Sequence, residues 1–383
     1  MINTELADKF IDKIIRYTEY NVNIMNEEGI IIASRDKERI GQFHEIAWQI
    51  VHGSQDIVDT TGMNGELSEE MKGMENVRPG INMVIEIDGI REGVVGVTGD
   101  PDEIRPVAMM TKMALETMVR FERQQEQTRL RENRKEHFVH LLTEVEASDQ
   151  GEVRELAASL GYPEEMIRIP ILVRLYDQDT KKFLSMLRHV PNHTNKDFSI
   201  APDERHVIVF KTMPEERMSL FENYKYIIGE YLSPILQWMQ KQEVKGTFYV
   251  GSFQDTYSRY YYAYRHCKWL EANIRTESRA VYFYDHLREY SHSLIPAQEN
   301  QRIFSLYESY FPSQKIPALI ETVGALIAEN YNFSTAAKSL FIHKNTLVYR
   351  YNQLKELMNI DPLVSSADRA FLEAFYYYLL NKK

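Results

Sequence analysis

The stretch Phe333-Ser-Thr-Ala-Ala-Lys-Ser-Leu-Phe-Ile-His-Lys-Asn-Thr-Leu-Val-Tyr-Arg-Tyr-Asn-Gln-Leu-Lys-Glu-Leu-Met358 decides how the chain is organised. Ser334 or Thr335 can cap a short helix whose Ala336, Ala337 and Leu340 face inward, small enough for a second helix to cross closely. Phe341-Ile342-His343 predicts a tight apolar corner. Asn345 or Thr346 then caps a second helix, since either side chain can accept from a free backbone N–H of the first turn. Within it Leu347, Tyr351, Leu354 and Met358 recur at spacings of three and four, the mark of a buried stripe. The opposite side carries Lys344, Asn345, Val348, Tyr349, Asn352 and Lys355, with Arg350 on the shoulder. A helix that enters a major groove needs such a surface, with positive charge for phosphates and amide, hydroxyl and guanidinium groups for base edges. Ser334, Thr335, His343, Lys344, Asn345, Thr346, Tyr349 and Arg350 are therefore candidate DNA contacts. Helix pairs with polar outer faces are also common in helical proteins at large, so spacing alone leaves an ordinary antiparallel pair open.

Resemblance separates the two. Ala336-Ala337, Leu340, Ile342-His343-Lys344-Asn345-Thr346-Leu347 and Tyr349-Arg350 resemble the C-terminal helix-turn-helix of the purine-catabolism and sugar-diacid regulators, nearly without gaps. One departure is Tyr351, which stands where that family usually has an aliphatic residue and bears on packing more than on reading.

Composition bounds the remainder. A chain of 383 residues has room for two or three domains with separate cores. Its 44% hydrophobic and 26% charged residues are those of a soluble globular protein. No apolar run approaches the roughly eighteen residues that span a bilayer, and the acidic opening Ile2-Asn-Thr-Glu-Leu-Ala-Asp8 lacks the layout of a secretion signal. The single cysteine, Cys267, cannot form an internal disulfide and reads as a buried small hydrophobe rather than a nucleophile. The expected compartment is the cytoplasm, with no membrane partner. A net charge of −11 disfavours a nonspecific nucleic-acid coat but not a specific reader, whose charge is local. Specific affinity then calls for two reading helices presented together, hence a homodimer.

The pattern along the chain predicts an α+β multidomain protein: a PAS/Cache-like sensor at 1–110, a long helical linker at 111–142, a degenerate cyclase-like α/β domain at 143–295, and an all-α helix-turn-helix domain at 312–383. The sensor opens with an amphipathic helix carrying Leu6, Phe10, Ile14 and Tyr17. A strand from Val22 turns at Gly29 into Ile30–Ala33, and a second hairpin turns at Asp88-Gly89. The linker helix, read as starting at Pro106, should pack through Val107, Met110, Met113 or Ala114, Thr117 or Met118, and Phe121. Its polar second half is a solvated connector or a stalk within a dimer interface. Strands at Ile169–Leu175, His206–Phe210, Gly246–Gly251 and Ala280–Tyr284 alternate with helices at Met218–Lys241 and Thr256–Asn273, an order resembling the cyclase-like domain of the same regulators. A working cyclase needs a glycine pair so that backbone approaches phosphate. The corresponding turn, Ala201-Pro-Asp-Glu-Arg205, has none, so Asp203 and Glu204 read as solvated turn residues and no cyclase activity is expected. The tyrosines at 257, 260, 261, 262 and 264 predict a partly buried interdomain surface, and Tyr376-Tyr-Tyr378 packing beneath the reading helices.

Two anion-seeking clusters fall in the sensor. In Ser34-Arg-Asp-Lys-Glu-Arg39-Ile-Gly41-Gln-Phe-His44, Ser34 offers a hydroxyl, Arg39 a bidentate fork and Gly41 an approachable backbone. His44 falls in the first turn of the next helix, where free N–H groups favour an anion. Arg78-Pro-Gly80-Ile81-Asn82 adds a second guanidinium and a glycine turn before a strand. The plainer possibility is that Arg39 pairs on the surface with Asp36 or Glu38 and that His44 merely caps. These spans, with Gly93, Gly96, Thr98 and Gly99, resemble the sugar-diacid recognition domain of the carbohydrate diacid regulators, and with the later segments the resemblance covers essentially the whole chain. Pro79 departs from it, standing where a polar residue is usual. The family implies a transcriptional activator of sugar-acid catabolism that answers to glucarate, galactarate or glycerate and works with RNA polymerase, without cofactor, metal or catalytic residues. A repressor, a regulator of another small acid such as glycolate, and a cyclase-related enzyme are the alternatives. The enzyme is disfavoured by the missing glycine pair, the missing phosphate loop and the missing metal-ligand spacing.

Overall fold

The computed structural model describes residues 2–62, 66–146, 148–176, 179–214 and 217–382, of which 217–219 and 221 are described by backbone alone. They fall into two compact units, Met1–Arg134 and Lys135–Lys383. The result is a mixed α+β protein with two sheets and an all-helical C-terminal region.

In the first unit α1 (Thr4–Ile14) starts at Asn3, whose Oδ1 accepts from the Glu5 N–H, and buries Leu6, Ala7, Phe10 and Ile11. Tyr17 lies past the helix end and is 86% exposed, so it does not continue that face. Strand β1 (Asn21–Asn26) turns through Gly29, at φ +78°, into β2 (Ile31–Ser34). Then follow α2 (Glu45–His52), β3 (Ile57–Asp59), β4 (Gly80–Ile87) and β5 (Ile90–Thr98). The β4–β5 hairpin turns through Asp88 and Gly89, at φ +52° and +81°, the two left-handed positions a type I′ turn requires. The sheet runs β2-β1-β5-β4-β3, antiparallel throughout. Strand alternation gives it two faces. Ile24, Ile81, Met83, Val95 and Val97 pack with α1 and with the long helix α3 (Pro101–Thr143), while Met25, Val84 and Val94 meet Ile46, Ala47 and Ile50 of α2.

Helix α3 corrects two expectations. It begins five residues before Pro106, which is accommodated inside the helix. Its buried stripe is Ile104, Ala108, Thr111, Leu115 and Val119, whereas Met110, Met113 and Phe121 are 66%, 64% and 58% exposed. This helix carries two apolar stripes at helical spacing, and period alone does not say which one meets the sheet.

In the second unit the end of α3 contributes Phe138, Val139 and Leu142 to a core. The chain continues through α4 (Gln150–Leu160), β6 (Arg168–Leu175), α5 (Thr180–Leu187), β7 (Phe198–Ile200), β8 (His206–Thr212), α6 (Arg217–Lys241), β9 (Gly246–Val250), α7 (Tyr257–Asn273) and β10 (Ala280–Tyr282). The sheet order is β10-β9-β6-β8-β7, with β10 parallel to β9 and the other pairs antiparallel. One face packs α4 and α7, the other α5 and α6. Strand β7, three residues long, gave no periodic signal. Tyr257, Tyr260 and Tyr264 prove to be core residues rather than an interdomain surface, and Tyr262 is exposed. Asp203 is not simply solvated: its carboxylate accepts from the Arg205 and His206 backbone N–H groups and pairs with the His206 ring at 2.8 Å, fastening the β7–β8 turn.

The C-terminal helices are α8 (Leu287–Ser293), α9 (Ala297–Tyr310), α10 (Ile316–Ala328), α11 (Phe333–Ser339), α12 (Lys344–Met358) and α13 (Ser366–Asn381). Phe304, Leu319, Val323, Leu354 and Phe375 form their core. Tyr377 stacks on His292, and the Tyr378 hydroxyl donates to Glu308 at 2.6 Å. Among the described residues no helix is long and apolar enough to cross a membrane.

Candidate effector site and nucleic-acid interface

The face of the first sheet that meets α2 is polar at one end. Ser34, Asn23, Gly96 and Asn82 stand directly opposite one another across β2, β1, β5 and β4, and Asn21, Thr98 and Gly80 form the next row. Asn23, Ser34 and Asn82 are nearly fully buried. The Ser34 hydroxyl donates to Asn23 Oδ1 at 2.7 Å, and the same oxygen accepts from Asn21 Nδ2 at 3.2 Å. A Cβ at Gly96 would come 2.7 Å from Asn82 Oδ1, so glycine is what lets the two asparagines share this floor.

Two guanidiniums stand at the edge of the row. Arg39 is 3% exposed and donates to the Asn76 carbonyl at 2.5 Å. Arg78 Nη1 lies 3.2 Å from Asp36 Oδ2. Burial, and then the neighbouring Arg78, lower the Arg39 pKa, with Asp36 opposing the shift. The surface pairing of Arg39 with Asp36 or Glu38 is therefore not what forms: Arg39 goes inward and Asp36 serves Arg78. The loop that carries Arg78 is fixed by Thr60, whose hydroxyl donates to the carbonyls of Arg78 and Gly80 at 2.7 and 3.1 Å.

His44 is the N-cap of α2 rather than part of its first turn, and its Nδ1 accepts from the Ala47 N–H at 3.3 Å. Burial and the Arg39 cation push its pKa down to about 4, so it is a neutral cap. Gly41 has φ +86° with open space where a Cβ would be, and its backbone turns the chain back toward α2. Gly80 is the first residue of β4, not a turn, and a Cβ there would meet the Val97 carbonyl at 2.2 Å. The Ile81 side chain lies in the core on the opposite face, as alternation demands, leaving only its backbone near the site. Asn21, Asn23, Asn76 and Thr60 were missed as site candidates, because what unites them is strand register and loop closure rather than spacing.

In the C-terminal pair the caps lie at least two residues earlier than expected. Asn332 caps α11, accepting from the Ser334 and Thr335 N–H groups, and His343 caps α12, its Nδ1 accepting from the Asn345 N–H at 3.2 Å. Ser334, Thr335, Asn345 and Thr346 are therefore free of capping duty, and all four are exposed. Ala336, Ala337 and Leu347 are buried together with Tyr351 beneath them. The corner is less apolar inside than expected: Ile342 packs inward, but Phe341 is 97% exposed at φ +55°. His343, Lys344, Tyr349 and Asn352 are exposed, and Lys338 on α11 adds a cation not singled out before. Arg350 turns back instead, with Nη1 2.7 Å from Glu321 Oε2 on α10. Lys355 likewise pairs with Asp361.

Residues 2–142 match the family described as "Putative sugar diacid recognition", and residues 319–374 match the "PucR C-terminal helix-turn-helix domain". The carbohydrate diacid regulator of Escherichia coli is 23% identical over 94% of this chain and 94% of its own length. An uncharacterised protein of Haemophilus influenzae is 23% identical over 92% of this chain and 93% of its own. YsfB, an uncharacterised protein of Bacillus subtilis, is 31% identical over 134 residues, 35% of this chain and 34% of its own length. A crystal structure of a regulator of polyketide synthase expression from Bifidobacterium adolescentis aligns with 65% of this chain and 94% of its own at TM-score 0.31 and 14% identity, too weak to bear on the fold.

Proposed function

We propose, from the premise that the chain belongs to the carbohydrate diacid regulators, a family of DNA-binding transcriptional regulators and not of enzymes, that it switches transcription in the cytoplasm in answer to a small hydroxy acid. The observation that carries the effector reading is Arg39 with Arg78: two guanidiniums around one carboxylate, Asp36, at the edge of a buried row of amides and hydroxyls. The excess positive charge suits a carboxylate, and the row suits hydroxyls on the carbons beside it. Gly41 and Gly80 shape the chain around the site, and the backbone at Ile81 and Asn82 closes it. Both guanidiniums stand together, which favours one carboxylate at that end and an acid of the glycerate or glycolate kind over a six-carbon diacid. The sheet order β2-β1-β5-β4-β3 supports a PAS-like label for this domain, and the second sheet a degenerate cyclase-like label.

The reading surface consists of Lys344, Asn345, Thr346, Tyr349 and Asn352 on α12, with His343, Ser334 and Thr335 flanking it, used by two chains at once on a repeat of roughly 34 Å. Arg350 joins it by exchanging Glu321 for a phosphate. Effector binding acts by contacting two states of the first unit unequally, which changes DNA affinity or contact with RNA polymerase and makes the protein an activator of genes for using the acid. Thermal melting against glycerate, glycolate, glucarate, galactarate and neutral sugars tests the reading. One acid should raise the midpoint through binding linkage, and Arg39→Ala should remove the rise. A rise that survives in Arg39→Ala and in Arg78→Ala would put the effector elsewhere.

A further inference from the structure

Helix α3 leaves a second stripe unpartnered. Met110, Ala114, Thr117, Phe121, Gln124 and Thr128 alternate in steps of four and three and are all exposed. No charge enters this stripe between Pro106 and Arg131, although Lys112, Glu116, Arg120, Glu122, Arg123, Glu126 and Arg129 occupy the rest of the circumference there. A solvated face would share those charges; a stripe that excludes them over about six turns is built to be covered. From Glu122 to Arg134 every side chain but Arg123 and Glu132 is exposed, and a lone helix with so little packing is marginal in water.

We infer that this stripe is the seam of a parallel, in-register two-stranded coil, and that the occupant is α3 of a second copy of this chain. The steps of three and four give the 3.5-residue period at which two helices wind together. An identical uncharged stripe meets itself without like-charge contact. The Gln124 side-chain amide, donor and acceptor at once, meets its own counterpart only in register, as a polar core residue does when it fixes alignment, whereas the Thr117 and Thr128 hydroxyls donate within the helix to the Met113 and Gln124 carbonyls. The stripe extends roughly 30 Å at 1.5 Å per residue, long enough to remove several hundred Å² per chain, the order of a standard interface half of about 800 Å². A parallel pair also sends both chains onward from the same end, which the two-chain DNA reading above requires. The inference rests on that reading and gives it an interface.

The test uses the full chain, whose one native cysteine, Cys267, is buried. Thr117→Cys and Gln124→Cys should each form an interchain disulfide under mild oxidation, and Glu126→Cys, on the far side of the helix, should not. Phe121→Glu places two carboxylates face to face in the seam and should weaken the dimer by roughly a hundredfold in sedimentation equilibrium. Each chain should still unfold cooperatively, because Phe121 is 58% exposed in the single chain and belongs to neither core that α3 joins. A monomeric wild-type chain, equal cross-linking at 126, or an undiminished dimer in Phe121→Glu would overturn the seam. Specific DNA binding by wild type alongside any of those results would leave the regulator standing. Cross-linking at 117 and 124 without DNA binding would leave the seam and remove the regulator.

Discussion

His44 and Arg39 share one buried neighbourhood, where burial and then the Arg39 cation keep the imidazole uncharged. With its folded pKa near 4, below the ordinary imidazole value, His44 binds fewer protons folded than unfolded. Its contribution is therefore complete above about pH 6.5 and is lost as pH falls from there through about 4, at about 1.4 kcal/mol per unit. Melting at pH 7, 5.5 and 4.5 should show that loss, and His44→Asn, which keeps a capping acceptor but does not titrate, should flatten part of it. Equal slopes in the two proteins would mean that His44 is not the group being titrated. Phe341 poses the opposite problem, a bulky residue held at φ +55° with its ring in solvent. Phe341→Gly should stabilise the chain by about 1 kcal/mol by denaturant unfolding, since glycine takes that conformation without steric penalty. If the same change also weakens DNA binding, the ring earns its strain at the interface. Residue types alone pointed to Ser34, Arg39 and Arg78, because hydroxyl and guanidinium groups beside glycine turns are legible one at a time. Asn21 and Asn23 were not, since nothing in a single strand says what faces it across the sheet.

Elements carry a related lesson. The β4–β5 hairpin was readable because Asp88-Gly89 imposes its own turn, and the helix pair because alanines and leucines recur at helical spacing. Caps are expected at least two residues too late, at Ser334 or Thr335 and at Asn345 or Thr346 instead of Asn332 and His343, because several neighbouring side chains can all accept from a first turn. Asn332→Ala should accordingly destabilise the C-terminal helices by about 1 kcal/mol, whereas Ser334→Ala should be nearly neutral. Which stripe of α3 meets the sheet is hidden for a deeper reason: both apolar faces of the helix obey the helical period, and only the sheet's position distinguishes them. Close packing across the first sheet makes a sharper prediction. A methyl at Gly96 would press on Asn82 Oδ1, and an inserted carbon in a filled site typically costs about 1–3 kcal/mol. Gly96→Ala should lower the melting midpoint and blunt the effector's shift together. A full shift on a destabilised protein would place the acid off this row.

At the scale of the whole molecule, a chain of net charge −11 must concentrate its cations to approach DNA. The exposed Lys338 and Lys344, with the positive end of α12, give each copy that local field, while Arg350 and Lys355 are held by Glu321 and Asp361 in the free chain. If Arg350 and Lys355 reach phosphates, binding to DNA exchanges carboxylate partners for them as well as releasing counterions. Each phosphate contact contributes about 0.9 to the slope of log affinity against log salt. If two chains read one site, Lys344→Ala removes two contacts at once and should reduce that slope by about 2, with the loss shared evenly across operator variants. A reduction of about 1 would mean that a single reading helix is engaged. Phe121→Glu then separates geometry from chemistry: it alters no DNA-facing group, yet by dividing the pair it should bring the wild-type slope down toward that of one helix.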